Sequence, residues 1–342
     1  MPKIVLIIAL SIFALTSVFG QAPVFSQFYT SGLYLNPALA GMEDDVVLAM
    51  NYRSQWAGVN LPFRTFQFSA IHPIIQHGVK SKHLGGFGAT LFSDEAGPNR
   101  EVVSQGFSIA SSYNFQLSPS GNHLIAAALQ FGVIQKQINL DVLQWSSQYS
   151  PVSGYDATLP GEHFASESVT SPVINAGMVW RLVLDTPFKP LRMFYNGFAV
   201  SNINRPKGFF LDRRDAPALL YKVHGGYVYA LNRTFEVSPN YLIQYQESSQ
   251  INIGGYGAYN LPATASKAIT ELKLSIGFWY RIDDSFIVTT GLSTPSWNAG
   301  FSYDANTSAL EKNFNGANAF EFSFAYRINI RKDVKKFATP MI

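Results

Sequence analysis

The sequence predicts an all-β protein, a transmembrane antiparallel β-barrel of fourteen strands with a plug-like N-terminal segment. Three observations predict it. Apolar and polar residues alternate in segments of about ten residues, the length of a barrel strand with lipid on one face and lumen on the other. Beyond residue 20 no apolar run reaches the roughly 18 residues that a membrane helix requires. Charged residues are only 14% of the chain and aromatics are also 14%, against about 25% charged in ordinary soluble proteins.

Residues 1–20 read as a cleaved signal peptide. Lys3 precedes the apolar run "IVLIIALSIFAL", and Val18 and Gly20 place modest side chains at −3 and −1 of a cut before Gln21. The chain has no cysteine, which excludes both disulfide staples and lipid attachment through a thiol. The formal charge of +3 falls by one when Lys3 leaves, too balanced for a nucleic-acid footprint.

Residues 21–45 form the next unit. "SQFYTSGLYLNPALAG" carries Phe28, Tyr29 and Tyr34, preceded by Phe25, with Gly32 and Gly41 for tight bends and Asn36-Pro37 to break a ladder. Such a segment suits a barrel interior or its periplasmic mouth better than a solvated tail.

The barrel is expected over 46–330. In "FEFSFAYRINI" Phe320, Phe322, Phe324, Tyr326, Ile328 and Ile330 share one face, and Glu321, Ser323, Ala325, Arg327 and Asn329 the other. "ELKLSIGFWYRI" sets Leu272 to Ile282 against Glu271, Lys273 and Arg281. "INAGMVWRLVL" sets its apolar residues against Asn175 and Arg181, and "TFEVSPNYLIQYQ" against Glu236, Asn240 and Gln244. Pro239 in the last of these predicts a kink or bulge, because it removes a ladder donor. Comparable segments lie at 46–53, 64–71, 84–92, 101–115, 122–136, 172–184, 191–201, 220–230, 233–246, 249–259, 271–281, 285–292, 296–304 and 319–330. The even count returns both termini to the periplasmic side, and the long connections 137–171, 202–219 and 305–318 then emerge outside. Residues 331–342 make a basic periplasmic tail.

No enzyme or metal centre is expected. There is no G-x-S-x-G elbow, and His72, His77 and His83 read as a solvated turn rather than a ligand set. "GGFGAT" at 85–90 lies inside a strand with no helix to present amides to a phosphate, so close strand packing accounts for its glycines. The inward charges Arg53, Arg181, Glu236, Glu271, Lys273, Arg281, Glu321 and Arg327 carry both signs and predict a packed, ion-paired lumen rather than an open pore. The facing assignment also predicts that Phe324→Asp is costly while Ser323→Asp is mild. On the outer loops, Trp145, Tyr149, Tyr155, Phe209 and Phe210 are aromatic anchors of the kind that dominate interface energetics. They could equally pack on one another.

"APVFSQFYTSGLYLNPALAG" followed by "NYRSQW" resembles the start of the PorP/SprF family of outer-membrane proteins, from the type IX secretion and gliding-motility apparatus of Bacteroidetes. "LQFGVIQKQINLDVLQWSSQYSP", "YNGFAVSNINRP", "LLYKVHGGYVYAL", "GFSYDANTSAL" and "NAFEFSFAYRI" continue the resemblance in the family's order. It implies a non-enzymatic barrel without cofactors, set in outer-membrane lipid. Such a barrel either links the secretion machinery to the membrane or partners a large secreted surface protein through that protein's C-terminal domain. "LNPALAG" is also similar to the Asn-Pro-Ala plug of fatty-acid-transporter barrels, which implies the alternative of an uptake channel for a small hydrophobic or polar solute.

Overall fold

A computed structural model describes residues 24–330 apart from 57, 59–61, 77–81, 151, 157, 160, 162–166, 185–189, 207–216, 262–271 and 309–317. The first strands are β1 (Val46–Gln55), β2 (Phe63–Gln76), β3 (Lys82–Ala96), β4 (Val102–Gln116) and β5 (His123–Ile138). In the loop that follows, β6 (Tyr149–Ser150) and β7 (Gly154–Tyr155) make a small separate hairpin. The wall continues with β8 (Ser168–Val183), β9 (Leu191–Ser201), β10 (Leu220–Ala230), β11 (Phe235–Gln246) and β12 (Ser248–Leu261). It ends with β13 (Leu272–Arg281), β14 (Ser285–Ser293), β15 (Trp297–Asn306) and β16 (Ala319–Ile328).

All but β6 and β7 form one closed antiparallel barrel, which therefore has the fourteen strands expected. Closure is made by β1 on β16, in register from Val46 opposite Ile328 to Gln55 opposite Ala319. Full closure leaves no unpaired edge for lipid to meet.

The alternation that forms the strands also sorts their faces. On β16, Phe320, Phe322, Tyr326 and Ile328 are exposed on the outside, while Glu321, Ser323 and Ala325 are buried within. On β13, Leu274, Ile276, Phe278 and Tyr280 face out, and Trp279 and Arg281 face in. Several strands run past the segments in which alternation is legible: β2 continues through Pro73 to Gln76, β3 reaches Ala96 and β8 begins at Ser168. Beyond the hydrocarbon edge both faces meet polar surroundings, so the ladder persists after the hydrophobic pattern has faded.

Pro239 does not bulge β11 against β12, where the register runs unshifted from Phe235 to Gln246. Its effect falls on the other side. The β10–β11 ladder passes from Gly226 opposite Asn240 directly to Tyr229 opposite Val237. In the gap the Ser238 hydroxyl donates to the Tyr227 carbonyl at 2.7 Å, so a side chain serves an acceptor beside a residue that has no N–H.

The histidines also depart from expectation. His72 lies within β2, and His83 is buried at the start of β3, with Nδ1 3.1 Å from Asp44 and Nε2 2.8 Å from the Gly85 carbonyl. His77 lies outside the described residues.

Candidate functional site

The barrel is filled by its own N-terminal segment. Residues 28–41 fold as three short 3₁₀ turns, Phe28–Thr30, Gly32–Tyr34 and Pro37–Gly41, and nearly every side chain from Phe25 to Met42 is buried. Gly32 takes the left-handed backbone, with φ at 51°, that joins the first turn to the second. Asn36 caps the third, its Oδ1 accepting from the Ala38 amide at 2.9 Å, with Pro37 preset for the first helical position.

Apolar contacts seat this plug. Phe28, Leu35, Ala38, Leu39 and Met42 join Leu124, Val179, Tyr195, Leu242 and Trp279 in one cluster, and Leu33 and Ala40 join Val47, Ile71 and Ala110 in a second. The Tyr29 ring stacks on Trp279 with centroids 5.3 Å apart, and Phe25 meets Tyr34 edge-on at 5.4 Å.

Polar contacts fix its register at three heights. Toward the outer ends of the strands, Ser26 and Gln27 meet a charge cluster. The Ser26 and Gln27 amides donate to Glu321 at 2.6 and 3.2 Å, and the Ser26 hydroxyl donates to Asp304 at 2.6 Å. Arg53 pairs with Asp304 at 2.8 Å and Glu321 at 3.6 Å, and it also reaches the Ser26 hydroxyl. Arg281 pairs with Asp304 at 3.3 Å and Asp284 at 2.8 Å. Arg53, Arg281, Asp304 and Glu321 are each at most 2% exposed, so two cations and two anions balance where neither sign could stand alone.

At mid-height the Asn36 amide reaches the wall, with Nδ2 3.1 Å from the Met178 carbonyl, 3.2 Å from the Phe198 carbonyl and 3.1 Å from His224 Nε2. This couples one plug residue to β8, β9 and β10. Lower down, Arg181 donates to the Met42 carbonyl at 2.8 Å and Asn114 to the Gly41 carbonyl at 2.7 Å.

The wall is notched to receive the plug. A Cβ on Gly86 would run into the Ala40 carbonyl, and one on Gly177 into the Asn36 side chain. In "GGFGAT", Gly86 and Gly88 make room for the plug, Gly88 beside Leu33, which corrects the expectation of strand packing for those two; a Cβ on Gly85 would run into the Ser112 backbone of β4, so close strand packing does account for Gly85.

The inward charges do not make one network. Arg53, Arg281 and Glu321 come together, through Asp304. Lys273 and Glu236 form a separate pair at 2.8 Å near the opposite end, Arg181 serves the plug backbone, and Arg327 sits near the lower end of β16. Glu271 lies outside the described residues. Asp304 was legible in "GFSYDAN", since Phe301 and Tyr303 outside put Ser302 and Asp304 inside; the role of Ser26 and Gln27 needs the fold.

Of the loop aromatics, Trp145 caps a short turn and packs near Gly161. Tyr149 and Tyr155 stand opposite one another on β6 and β7 with ring centroids 5.5 Å apart, yet remain 55% and 39% exposed. Beside them the Thr158 hydroxyl and amide, at 2.6 and 2.9 Å, hold the Asp156 carboxyl below its usual range. Phe209 and Phe210 lie outside the described residues.

Among the described residues no group of His, Asp and Glu is arranged to hold a metal ion. The profile of the family described as type IX secretion system membrane protein PorP/SprF matches residues 17–326. Comparison with curated proteins finds no match. Among solved structures the chain is similar to the Ralstonia pickettii toluene transporter TbuX, at 9% identity and a TM-score of 0.47, over 88% of this chain and 94% of that one. It is also similar to a Pseudomonas aeruginosa FadL homologue, at 13% identity and a TM-score of 0.44, over 87% and 94%.

Proposed function

The chain belongs to the PorP/SprF family of type IX secretion system membrane proteins, and from that premise we propose that it is a non-enzymatic outer-membrane barrel that partners and holds a large secreted surface protein. The observation that carries this reading is the filled lumen. The plug runs from the Ser26 contacts near the outer rim to the Met42 contacts near the periplasmic end, tied to the wall at both. A barrel occupied along its length by its own chain is poorly suited to passing a polypeptide, which leaves the outer loops as the working face. Those loops present Tyr149 and Tyr155 as a paired aromatic surface, suited to gripping a partner's C-terminal domain.

Deleting the gene and comparing surface-exposed proteins by protease shaving tests the reading. One large exported protein is expected to disappear from the cell exterior while others remain; an unchanged surface profile would overturn it. A second reading, uptake of a small hydrophobic or polar solute, is favoured by a cavity between the plug and the outer ends of the strands. Loss of growth on one small carbon source with an intact surface profile would favour that reading instead.

A further inference from the structure

On the outer side of the plug lies a cavity of about 390 Å³, within the range of roughly 300–1,000 Å³ usual for small-molecule sites. Leu33, Tyr34, Leu35 and Pro37 of the plug contribute to its base, and its lining extends up to Ala96, Val102 and Gln246 at the outer ends of their strands.

The polar groups in this cup are unevenly distributed. Near the rim Asp94, Ser104 and Lys136 stand side by side across β3, β4 and β5, so one anion and one cation offset each other. Deeper, Lys222 has no opposite charge beside it among the described residues. It is 4% exposed and makes no ion pair among the described residues; its ammonium donates to the Tyr34 carbonyl at 2.7 Å and lies 4.7 Å from the centre of the Tyr34 ring. An ammonium has three donors, and that carbonyl takes one.

Two further donors line the same cavity. Gln130 is 3% exposed; its Oε1 accepts from Asn175 at 2.7 Å, while its Nε2 has no partner among the described residues. Ser171, also 3% exposed, has a hydroxyl with no partner among the described residues. Buried donors left without acceptors are costly unless a ligand meets them, and here they share one cavity with a cation that makes no ion pair among the described residues.

We propose that this cup is a binding site for a carboxylate carried on an apolar body, with Lys222 as the charge partner and Gln130 and Ser171 as supporting donors. The proposal rests on neither functional reading above, because the same chemistry is offered by a free small-molecule acid and by the C-terminal end of an exported protein.

The test uses the full barrel in lipid nanodiscs, titrated calorimetrically with 4-phenylbutyrate and its amide, and with the tripeptide Ala-Leu-Phe bearing either a free carboxylate or a C-terminal amide. At least one acid is expected to bind about tenfold or more tightly than its amide, the margin of a charge-assisted contact. Lys222→Met should abolish that preference and Lys222→Arg retain it, while Gln130→Leu, which leaves the charge in place, should weaken the acid several-fold. A preference seen only with phenylbutyrate assigns the site to a small-molecule acid, and one seen with the tripeptide to a protein terminus; both support the proposal. Equal binding of acid and amide, absence of binding by all four probes, or an undiminished preference in folded Lys222→Met overturns it. If Lys222→Met lacks the heat-modifiable gel mobility of a folded barrel, Gln130→Leu and Ser171→Val decide the matter, and unchanged acid affinity in both overturns it.

Discussion

The Arg53 guanidinium meets the Asp304 carboxylate at 2.8 Å with both side chains sealed from water, which joins β1 to β15 across the closing strand β16. Arg53→Met leaves Asp304 paired with Arg281 alone and takes from Glu321 the guanidinium it pairs with. Breaking a buried pair from one side costs about 3–5 kcal/mol. Urea unfolding of the lipid-reconstituted barrel is expected to show that loss, and adding Glu321→Gln on the same background should recover part of it.

Asn36→Leu keeps the side-chain volume while removing the contacts to the Met178 and Phe198 carbonyls and to His224. Stability should fall by about 1–3 kcal/mol, the range for a buried polar group that loses its partner. In planar bilayers the parent is expected to stay closed and the variant to show intermittent conductance. Gly177→Val strikes the same contact from the wall. Combining the two should add little to either alone, because both release one clamp.

Positions 323 and 324 separate the two faces of β16, but not by tolerance. Phe324 lies mid-strand on the lipid side, and Phe324→Arg is expected to cost about 2–4 kcal/mol near the membrane midplane. Ser323 is buried against the plug, its hydroxyl donating to Gln27 Oε1 at 2.8 Å. Ser323→Asp would place a carboxylate near that oxygen and two positions from Glu321, so the expected mildness is replaced by a clear loss. The two variants should differ in signature: in protease digestion, Ser323→Asp frees the plug while Phe324→Arg lowers the yield of folded barrel.

Tyr149→Ser combined with Tyr155→Ser removes the paired rings of the outer hairpin and touches nothing in the wall. If these rings grip the exported partner, its surface amount should drop several-fold with barrel abundance unchanged. Retention of the partner at its normal level would sink the assignment of this hairpin.

Much of this architecture was legible in the sequence because lipid imposes a strict two-residue rule on a strand. Phe320 to Ile328 and Leu272 to Tyr280 obey it, and the inward Glu321 and Arg281 follow as its complement. The rule identifies faces, not neighbours across the lumen. Arg281, Arg53 and Asp304 meet because of strand order and register, neither of which alternation encodes, and Lys273 with Glu236 falls to a different height for the same reason. Gly86 and Gly177 were visible as residues, but the object they make room for is a distant segment. Ser323 reads as a small polar lumen residue until Gln27 is seen beside it.

The Ser26 amide and the Glu321 carboxylate that accepts from it stand 295 positions apart. During export the acceptor arrives only after nearly all of the chain has crossed, and the strand that bears it is the one that completes the cylinder. Seating the first segment and sealing the final seam therefore belong to a single late step of assembly. Until then, the aromatic leader that later packs the lumen has no shelter of its own and must be sequestered by something else in the periplasm.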